Sequence, residues 1–231
     1  MSKFNFIEVN KDLLPKTKGR RIDGHRFYEI EGKNYPSITT VLNIRKKEGL
    51  TKWRENVGEG AANWEMARAA RRGKSTHTLI EQYVKSETPS ERSVLPLGLF
   101  KLLKPYVDQI NNIHLLEAIM YSHKLTVAGQ VDCVAEYNGK LSVIDFKTAN
   151  KERQESWIDN YFLQCTAYAI MYEEIFKKPI EQIVILLAGE DGSVACYKKN
   201  RKDYEESLGK AIKDFYKYYE ELNKDKIPTS K

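Results

Sequence analysis

Apolar and polar residues alternate along two neighbouring segments, residues 129–137 and 140–148, which the pair Asn138-Gly139 separates. An Asn-Gly pair between two apolar, β-branched runs is the strongest short-range signal for a two-residue type I′ turn, because both turn residues need a positive φ. The pattern therefore predicts a β-hairpin with a defined register.

That register brings three charged side chains together. Counting outward from the turn places Asp132 opposite Asp145, and Lys147 shares their face of the sheet. Opposed residues of antiparallel strands have Cβ atoms about 4.5–5.5 Å apart, and two carboxylates at that separation repel unless a cation lies between them. Oxygen ligands of this kind suit magnesium or manganese. The hairpin therefore predicts a divalent-metal site; the alternative is a surface hairpin whose acids and lysine face water.

Apolar neighbours favour the metal site over the surface hairpin. The opposite face of the hairpin carries Val131, Cys133, Ile144 and Phe146, as in a sheet that is covered on both sides. Charges in a covered sheet are costly unless they are paired or bind a metal.

The remaining pattern predicts helices and strands in alternation. We expect strands at 26–31, 115–125, 180–188 and 193–197, a helix start or tight loop at 36–42 with Ser37 as a possible N-cap, and helices at 51–84, 95–113, 157–176 and 204–222. Glycines at 58, 60 and 73 are expected to interrupt the helix at 51–84. Helix, three meander strands, helix, strand is the order of an α/β core around a mixed sheet.

Composition bounds the class of protein. A chain of 231 residues with 41% hydrophobic residues can bury one substantial core, so we expect a single domain. No apolar run approaches the ~18 residues of a membrane helix, and the first residues lack a secretion signal, so we expect an intracellular protein with no membrane partner. Three cysteines without a CxxC spacing are typical of free thiols in a reducing compartment.

Positive charge is concentrated in the first third of the chain. Residues 1–75 hold 17 Lys and Arg against 9 Asp and Glu, a net +8, whereas the remainder holds 21 against 23, a net −2. A basic region beside an acidic metal site indicates a polyanionic substrate. The alternative is a set of solvated helix faces.

Five further residues are candidates for the same site. His77 and Glu81 lie four apart on one helical face, as do Gln164 and Tyr168 on the helix after the hairpin. Glu117, in the strand before the hairpin, is a third carboxylate or a surface residue. Spacing alone leaves open that each of these residues has only a structural or surface role.

Together these segments resemble the PD-(D/E)XK nuclease superfamily, specifically its RecB-type branch, over roughly residues 70–190. The motifs are Arg72-Gly73-Lys74-Ser75-Thr76-His77 with Glu81, Gly129-Gln130-Val131-Asp132, Ile144-Asp145-Phe146-Lys147-Thr148 and Gln164-x-x-x-Tyr168. One departure is Val131, which stands where the superfamily name has proline. The upstream segment 35–42 is similar to one in phage and mitochondrial exonucleases, which act on DNA with free single-stranded ends.

The resemblance implies a fold and a metal centre. The fold is a restriction-endonuclease-like core, a central mixed β-sheet flanked by helices in the order αβββαβ, with a basic helical elaboration at 1–70, the catalytic core at 71–200 and a C-terminal helix at 201–231. His77, Asp132 and Asp145 are implied as metal ligands, with the main-chain carbonyl of Phe146 completing the set. Lys147 would position and polarise the attacking water, and we expect the neighbouring metal to lower its pKa.

Other roles also follow from the resemblance. Gln164 and Tyr168 are implied as orienting residues, and Glu117 as a further catalytic carboxylate. The residues expected to contact DNA are Arg71, Arg72, Lys74, Ser37 and Thr39.

The implied function is a magnesium-dependent DNA exonuclease, with manganese able to substitute, that hydrolyses phosphodiester bonds from single-stranded ends. We expect DNA as partner, together with replication or recombination proteins, and a role in recombination, repair or end processing in the cytoplasm of a bacterium or phage-infected cell. Three cysteines are too few for the four-cysteine iron–sulfur centre of some relatives, so no such cluster is expected. Alternatives are a structure-specific or duplex endonuclease, a non-catalytic nucleic-acid-binding protein and a metal-binding scaffold.

Overall fold

Two β-sheets and six α-helices organise the chain in the computed structural model, which describes residues 3–224. The helices are α1 (Ile38–Asn43), α2 (Lys47–Val57), α3 (Glu59–Val84), α4 (Val94–Val107), α5 (Asp159–Phe176) and α6 (Glu205–Lys224). The strands are β1 (Arg20–Ile22), β2 (His25–Ile30), β3 (Lys33–Pro36), β4 (Ile110–Ser122), β5 (Val127–Tyr137), β6 (Lys140–Ala149), β7 (Gln182–Gly189) and β8 (Val194–Asn200).

The larger sheet has five strands in the order β4-β5-β6-β7-β8. Neighbouring strands are antiparallel except β6 and β7, which are parallel because α5 connects them as a crossover. A three-stranded antiparallel sheet, β1-β2-β3, forms separately near the N-terminus. The predicted fold class, an α/β core with a mixed sheet flanked by helices, is confirmed.

The hairpin has the predicted turn and register. Asn138 and Gly139 have φ values of 52° and 75°, as a type I′ turn requires. Tyr137 pairs with Lys140, and the pairing continues with the same register along β5 and β6 as far as Cys133 and Ile144. The next residues outward are those predicted to hold a metal.

Both faces of the five-stranded sheet are covered. Helices α1, α5 and α6 pack on one face, where Phe162, Tyr172 and Phe215 are fully buried. Helices α3 and α4 cover the other face around Leu99 and Leu103. Period-two alternation along β6 therefore directs successive side chains into two separate cores.

Several element boundaries differ from the prediction. Only Gly58 separates helices, and α3 continues for 26 residues through Gly60 and Gly73, because packing of its C-terminal half offsets the low helix propensity of glycine. The helix predicted at 95–113 ends at Val107, and β4 begins at Ile110. Strands β1 and β3 were not predicted. The end of the C-terminal helix predicted to reach 231 lies outside the described residues.

Among residues 3–224, the helices are too short or too polar to span a bilayer.

Candidate metal centre and catalytic site

Three residues from three elements converge at one end of the sheet: His77 of α3, Glu117 of β4 and Asp132 of β5. One candidate ligand atom from each lies within 4.8 Å of the other two. The Nδ1 atom of His77 is 3.7 Å from Oδ2 of Asp132 and 3.8 Å from Oε1 of Glu117. One imidazole nitrogen and two carboxylates form a donor set that suits a divalent cation.

The main chain of Phe146 orients two of these side chains. Its N–H donates a hydrogen bond of 2.9 Å to Oδ2 of Asp132, and its carbonyl oxygen lies 2.7 Å from Nε2 of His77. A metal-binding histidine commonly donates its second ring N–H to a carbonyl, which fixes the tautomer and leaves the other nitrogen for the metal. In this arrangement the Phe146 carbonyl orients His77. Its predicted role as a direct metal ligand stays a prediction.

Glu117 is held in an unusual backbone conformation. Its φ is 50°, a left-handed value within a β-strand. Gln130 donates a hydrogen bond of 2.8 Å to Oε2 of Glu117, and the same amide lies 3.3 Å from its carbonyl oxygen. Backbone strain of this kind concentrates at functional sites. Gln130 was not among the predicted site residues; the signal that could have found it is its position two residues before Asp132, on the same face of β5.

Asp145 and Lys147 form a separate ion pair beside the cluster. Asp145 is only 1% exposed, and Nζ of Lys147 lies 2.5 Å from its Oδ2. Neither carboxylate oxygen of Asp145 accepts a hydrogen bond of regular geometry from another described residue. The structure thus brings Glu117 into the three-residue cluster and places Asp145 next to it. The role of Asp145 as a metal ligand stays a prediction.

Electrostatics couple the pair to the cluster. Burial raises the pKa of Asp145, and the charge of Asp132 raises it further, against the opposing effect of Lys147. Burial alone would lower the pKa of Lys147, but the carboxylates of Asp145 and Asp132 outweigh that effect and raise it. The two carboxylates therefore keep the lysine protonated. A bound cation would have the opposite effect on its pKa. The expected lowering of the pKa of Lys147 by a neighbouring metal stays a prediction.

The same balance operates on His77. Burial favours its neutral form, but the charge of Asp132 and the nearby carboxylate of Glu117 prevail and raise the pKa of His77 to about 9. A cation would compete with this proton for the imidazole. The donor set fits a hard divalent cation, and so does the buried carboxylate of Asp145, which is approached by Lys147 and accepts no hydrogen bond of regular geometry from the described residues.

The predicted orienting residues lie on α5, facing the sheet. Gln164 and Tyr168 are both buried, and Nε2 of Gln164 lies 3.3 Å from the Tyr168 hydroxyl. A Cβ atom at Gly129 would come within 2.8 Å of the Tyr168 ring. Gly129 therefore makes room for Tyr168.

The residues predicted to contact DNA fall into two groups. Arg71, Lys74 and Thr39 are exposed. Arg72 is buried and paired with Glu190, so its guanidinium is not presented to a phosphate.

Ser37, like Arg72, is buried and bonded within the protein. Its buried hydroxyl caps α1 by accepting a 3.0 Å hydrogen bond from the N–H of Thr40. The positions of Arg72 and Ser37 thus favour structural roles over DNA contact.

The element order around this centre is that of one class of enzyme, and the sequence comparison agrees. The model of the PD-(D/E)XK nuclease superfamily matches residues 51–230, and the chain belongs to this superfamily. Its members use divalent metals.

Relatives from three vertebrates match most of the chain. It is 30% identical over 175 residues to human mitochondrial genome maintenance exonuclease 1, covering 69% of this chain and 51% of that protein. The mouse protein of the same name is 27% identical over 181 residues, with 72% and 53% covered, and that of Xenopus tropicalis 28% over 179 residues, with 69% and 50% covered. The chain spans about half the length of these curated relatives.

These relatives correct one expectation. The sequence had been assigned to the cytoplasm of a bacterium or phage-infected cell. The relatives are eukaryotic and carry mitochondrial names, so that assignment is wrong.

Proposed function

We propose that this chain is a metal-dependent DNA exonuclease that hydrolyses phosphodiester bonds from single-stranded ends. The observation that carries the proposal is the juxtaposition of a three-residue ligand cluster, His77, Glu117 and Asp132, with the buried pair of Asp145 and Lys147. The exonuclease names of the relatives support the choice among nuclease activities.

The chemistry follows from where the charges lie. Attack on a phosphodiester builds negative charge on the non-bridging oxygens, and fixed positive charge placed nearby stabilises that transition state. His77, Glu117 and Asp132 would hold a divalent cation, which when bound supplies Lewis-acid stabilisation and lowers the pKa of water. Lys147, kept protonated by Asp145, presents its ammonium group beside the same point. Magnesium is the proposed ion, with manganese able to substitute, because the ligands are mostly hard oxygens.

Basic residues next to the centre support a nucleic-acid substrate. Lys74 borders the groove that also contains His77, Glu81 and Glu117. Arg71 and Lys74 line the adjoining groove, so positive charge continues along α3 away from the centre. We propose that these two side chains hold phosphates of the substrate, and that the activity serves recombination, repair or end processing of DNA.

A cleavage assay tests this proposal. The purified protein is incubated, in magnesium or in EDTA, with end-labelled single-stranded, duplex and covalently circular DNA. Magnesium-dependent loss of linear single strands, with circles spared, is the expected result. Cutting of circles would replace the exonuclease with an endonuclease. Binding without cleavage, in magnesium and in manganese, would overturn the enzymatic proposal in favour of a non-catalytic DNA-binding protein.

A further inference from the structure

A second group of positive charges lies beside Lys147, on the side away from α3. Tyr161, in the first turn of α5, is the link between them. Its ring centroid is 5.1 Å from Nζ of Lys147 and 5.3 Å from Nζ of Lys46. Cation–π contacts at these distances are favourable. One aromatic ring therefore contacts both the candidate catalytic lysine and a lysine from the N-terminal region.

The fold fixes Lys46 in this place. The neighbouring Arg45 donates hydrogen bonds of 2.9 Å to Asp159 and 2.7 Å to Asn160, both in the first turn of α5. Asn160 in turn donates a 3.0 Å hydrogen bond to the carbonyl of Leu42. These contacts attach residues 42–46 to the start of α5, so Lys46 is held beside the catalytic centre.

Two charges in this group, those of Lys46 and Arg153, have no carboxylate partner, whereas Arg45 pairs with Asp159 and Lys147 pairs with Asp145. Tyr197, whose ring packs against Phe162 of α5, donates a 3.0 Å hydrogen bond to the carbonyl of Arg153 and so holds this residue near the start of α5. Partial enclosure by the protein lowers the pKa of Lys46, and the positive charges of Arg153, Lys147 and Arg45 act in the same direction. Among residues 3–224, the side chains of Lys46 and Arg153 form no ion pair. Like charges gathered without a counter-charge repel each other, and an anionic ligand removes that repulsion.

Three buried or half-buried arginines in the described part of the chain have carboxylate partners: Arg68 and Arg72 pair with Glu190, and Arg201 pairs with Glu173 and Glu205. Lys46 and Arg153 are exposed and lack such partners, so their charges are available to an external anion.

We propose that Lys46 and Arg153 hold phosphates of the nucleic-acid strand next to the bond being cut, and that the Tyr161 ring positions Lys46 against Lys147. This inference rests on the proposed function and extends it by giving the strand a direction across the centre. Arg71 and Lys74 lie on α3 and the new site lies at α5, and these helices cover opposite faces of the sheet. The strand thus crosses the end of the sheet from one helix to the other.

The salt dependence of DNA binding tests this site without requiring cleavage. The site variant is Lys46→Gln/Arg153→Gln. Its matched control, Lys140→Gln/Lys198→Gln, removes two exposed lysines that line a groove at the opposite end of the sheet. Binding of a fluorescent single-stranded oligonucleotide is measured by anisotropy in EDTA over a series of salt concentrations. Each phosphate contact contributes about −0.7 to the slope of log K against log salt.

We expect the slope of the site variant to be shallower than that of the wild type by about 1.4, which corresponds to two lost phosphate contacts, while the control keeps the wild-type slope. Equal slopes in site variant and control would overturn the proposal, whatever the cleavage assay shows. If the wild type does not cleave but the slopes differ as expected, the proposed enzymatic function fails and the binding site stands.

The stability of the site variant and the activity of two further variants separate phosphate binding from a structural role. Removing like charges leaves the thermal unfolding midpoint of the site variant unchanged or higher; a clear fall would show that Lys46 or Arg153 is structural and would contradict the proposal. Tyr161→Leu loses the contact to both lysines and is expected to lower kcat, and Tyr161→Phe, which retains the ring, is expected to lower it less. Equal rates in the two variants would remove Tyr161 from the proposed site.

Discussion

Two ion pairs lie on opposite sides of β6, and their surroundings differ. Arg72 is paired with Glu190, and its guanidinium also donates hydrogen bonds of 3.2 Å to Thr148 and 2.6 Å to Asn150. Asp145 is more deeply buried, yet Lys147 is the group that approaches its carboxylate, and no regular hydrogen bond completes it among the described residues. The hydrogen-bonding groups of the Arg72–Glu190 pair are satisfied, whereas those of the Asp145–Lys147 pair are not.

The alternation of side chains along one strand produces this difference. Asp145 and Lys147 point to the face of β6 that α5 covers, and Thr148 points to the face that α3 covers. A fully satisfied polar network stabilises a fold, whereas a buried charge with unused hydrogen-bonding capacity costs stability and is retained where it has a function. The comparison therefore assigns stability to the Arg72 pair and chemistry to the Lys147 pair.

Removing both charges of the chemical pair is expected to have the largest effect on cleavage. Asp145→Asn/Lys147→Met should lower kcat by at least about two orders of magnitude, because a charge that stabilises the transition state is lost. The free energy of unfolding should stay the same or increase, since replacing a buried ion pair with neutral groups of similar size often stabilises a protein. Gel-based cleavage rates and urea denaturation measure both quantities. Near-normal cleavage would make the pair structural.

Breaking the ion pair of Arg72 and Glu190 is expected to lower stability and to leave cleavage almost unchanged. Glu190→Gln leaves the buried guanidinium group of Arg72 without a carboxylate, while Arg68 keeps Glu65, and should lower the free energy of unfolding by about 3 kcal/mol. The cleavage rate per folded molecule should change little. Glu55→Gln, at an exposed glutamate without an ion pair in the described part of the chain, is the control for loss of charge. If Glu190→Gln abolishes cleavage while the protein remains as stable as the wild type, the division between the two pairs is wrong.

The pKa of His77 allows a third test, with a smaller expected effect, of the electrostatics around the candidate metal centre. A pKa raised from about 6.5 to about 9 means that the folded protein binds the proton more tightly than the unfolded chain does. The stabilisation is complete below about pH 6.5 and is lost as pH rises through about 9. With the protein in EDTA, we expect the free energy of unfolding to fall by about 2 kcal/mol over this range, allowing for partial exposure of the ring.

The control for this pH dependence is His77→Gln, which should flatten the profile between those pH values. His123→Gln, an exposed histidine on the turn between β4 and β5, should leave the profile unchanged. A wild-type stability that is constant from pH 6.5 to 9 would contradict the electrostatic coupling of His77 to Asp132 and Glu117.

The parts of this site that could be predicted from the sequence are those set by local chemistry. The Asn138-Gly139 turn fixes the register of the hairpin, and the register alone places Asp132 and Asp145 near each other. Period two then adds Lys147. None of these inferences needs knowledge of how distant segments pack.

The parts that could not be predicted depend on where α3 meets the sheet. The partner of Arg72 is Glu190, 118 residues away, and Thr148 and Asn150 are 76 and 78 residues away. No periodicity reports such contacts. The presence of Glu117 in the cluster likewise depends on the approach of His77, and the positive φ of Glu117 is a tertiary effect that its residue type does not signal.

The hydrogen-bonded hydroxyl of Ser37 provides the test with the smallest expected effect. It asks whether a satisfied polar group serves stability rather than function. Ser37 and Thr39 were both predicted as DNA contacts, but Ser37 is 2% exposed and caps α1, whereas Thr39 is exposed. Ser37→Ala should lower the free energy of unfolding by about 1 kcal/mol, as for loss of an N-cap, and leave DNA affinity unchanged. Thr39→Ala should leave stability unchanged. Chemical denaturation and oligonucleotide anisotropy, compared for the two variants, measure these effects. Weaker DNA binding by Ser37→Ala at unchanged stability would show that a buried, fully hydrogen-bonded hydroxyl can still act at the DNA surface, and would remove satisfaction of polar groups as the criterion that separates the two sides of β6.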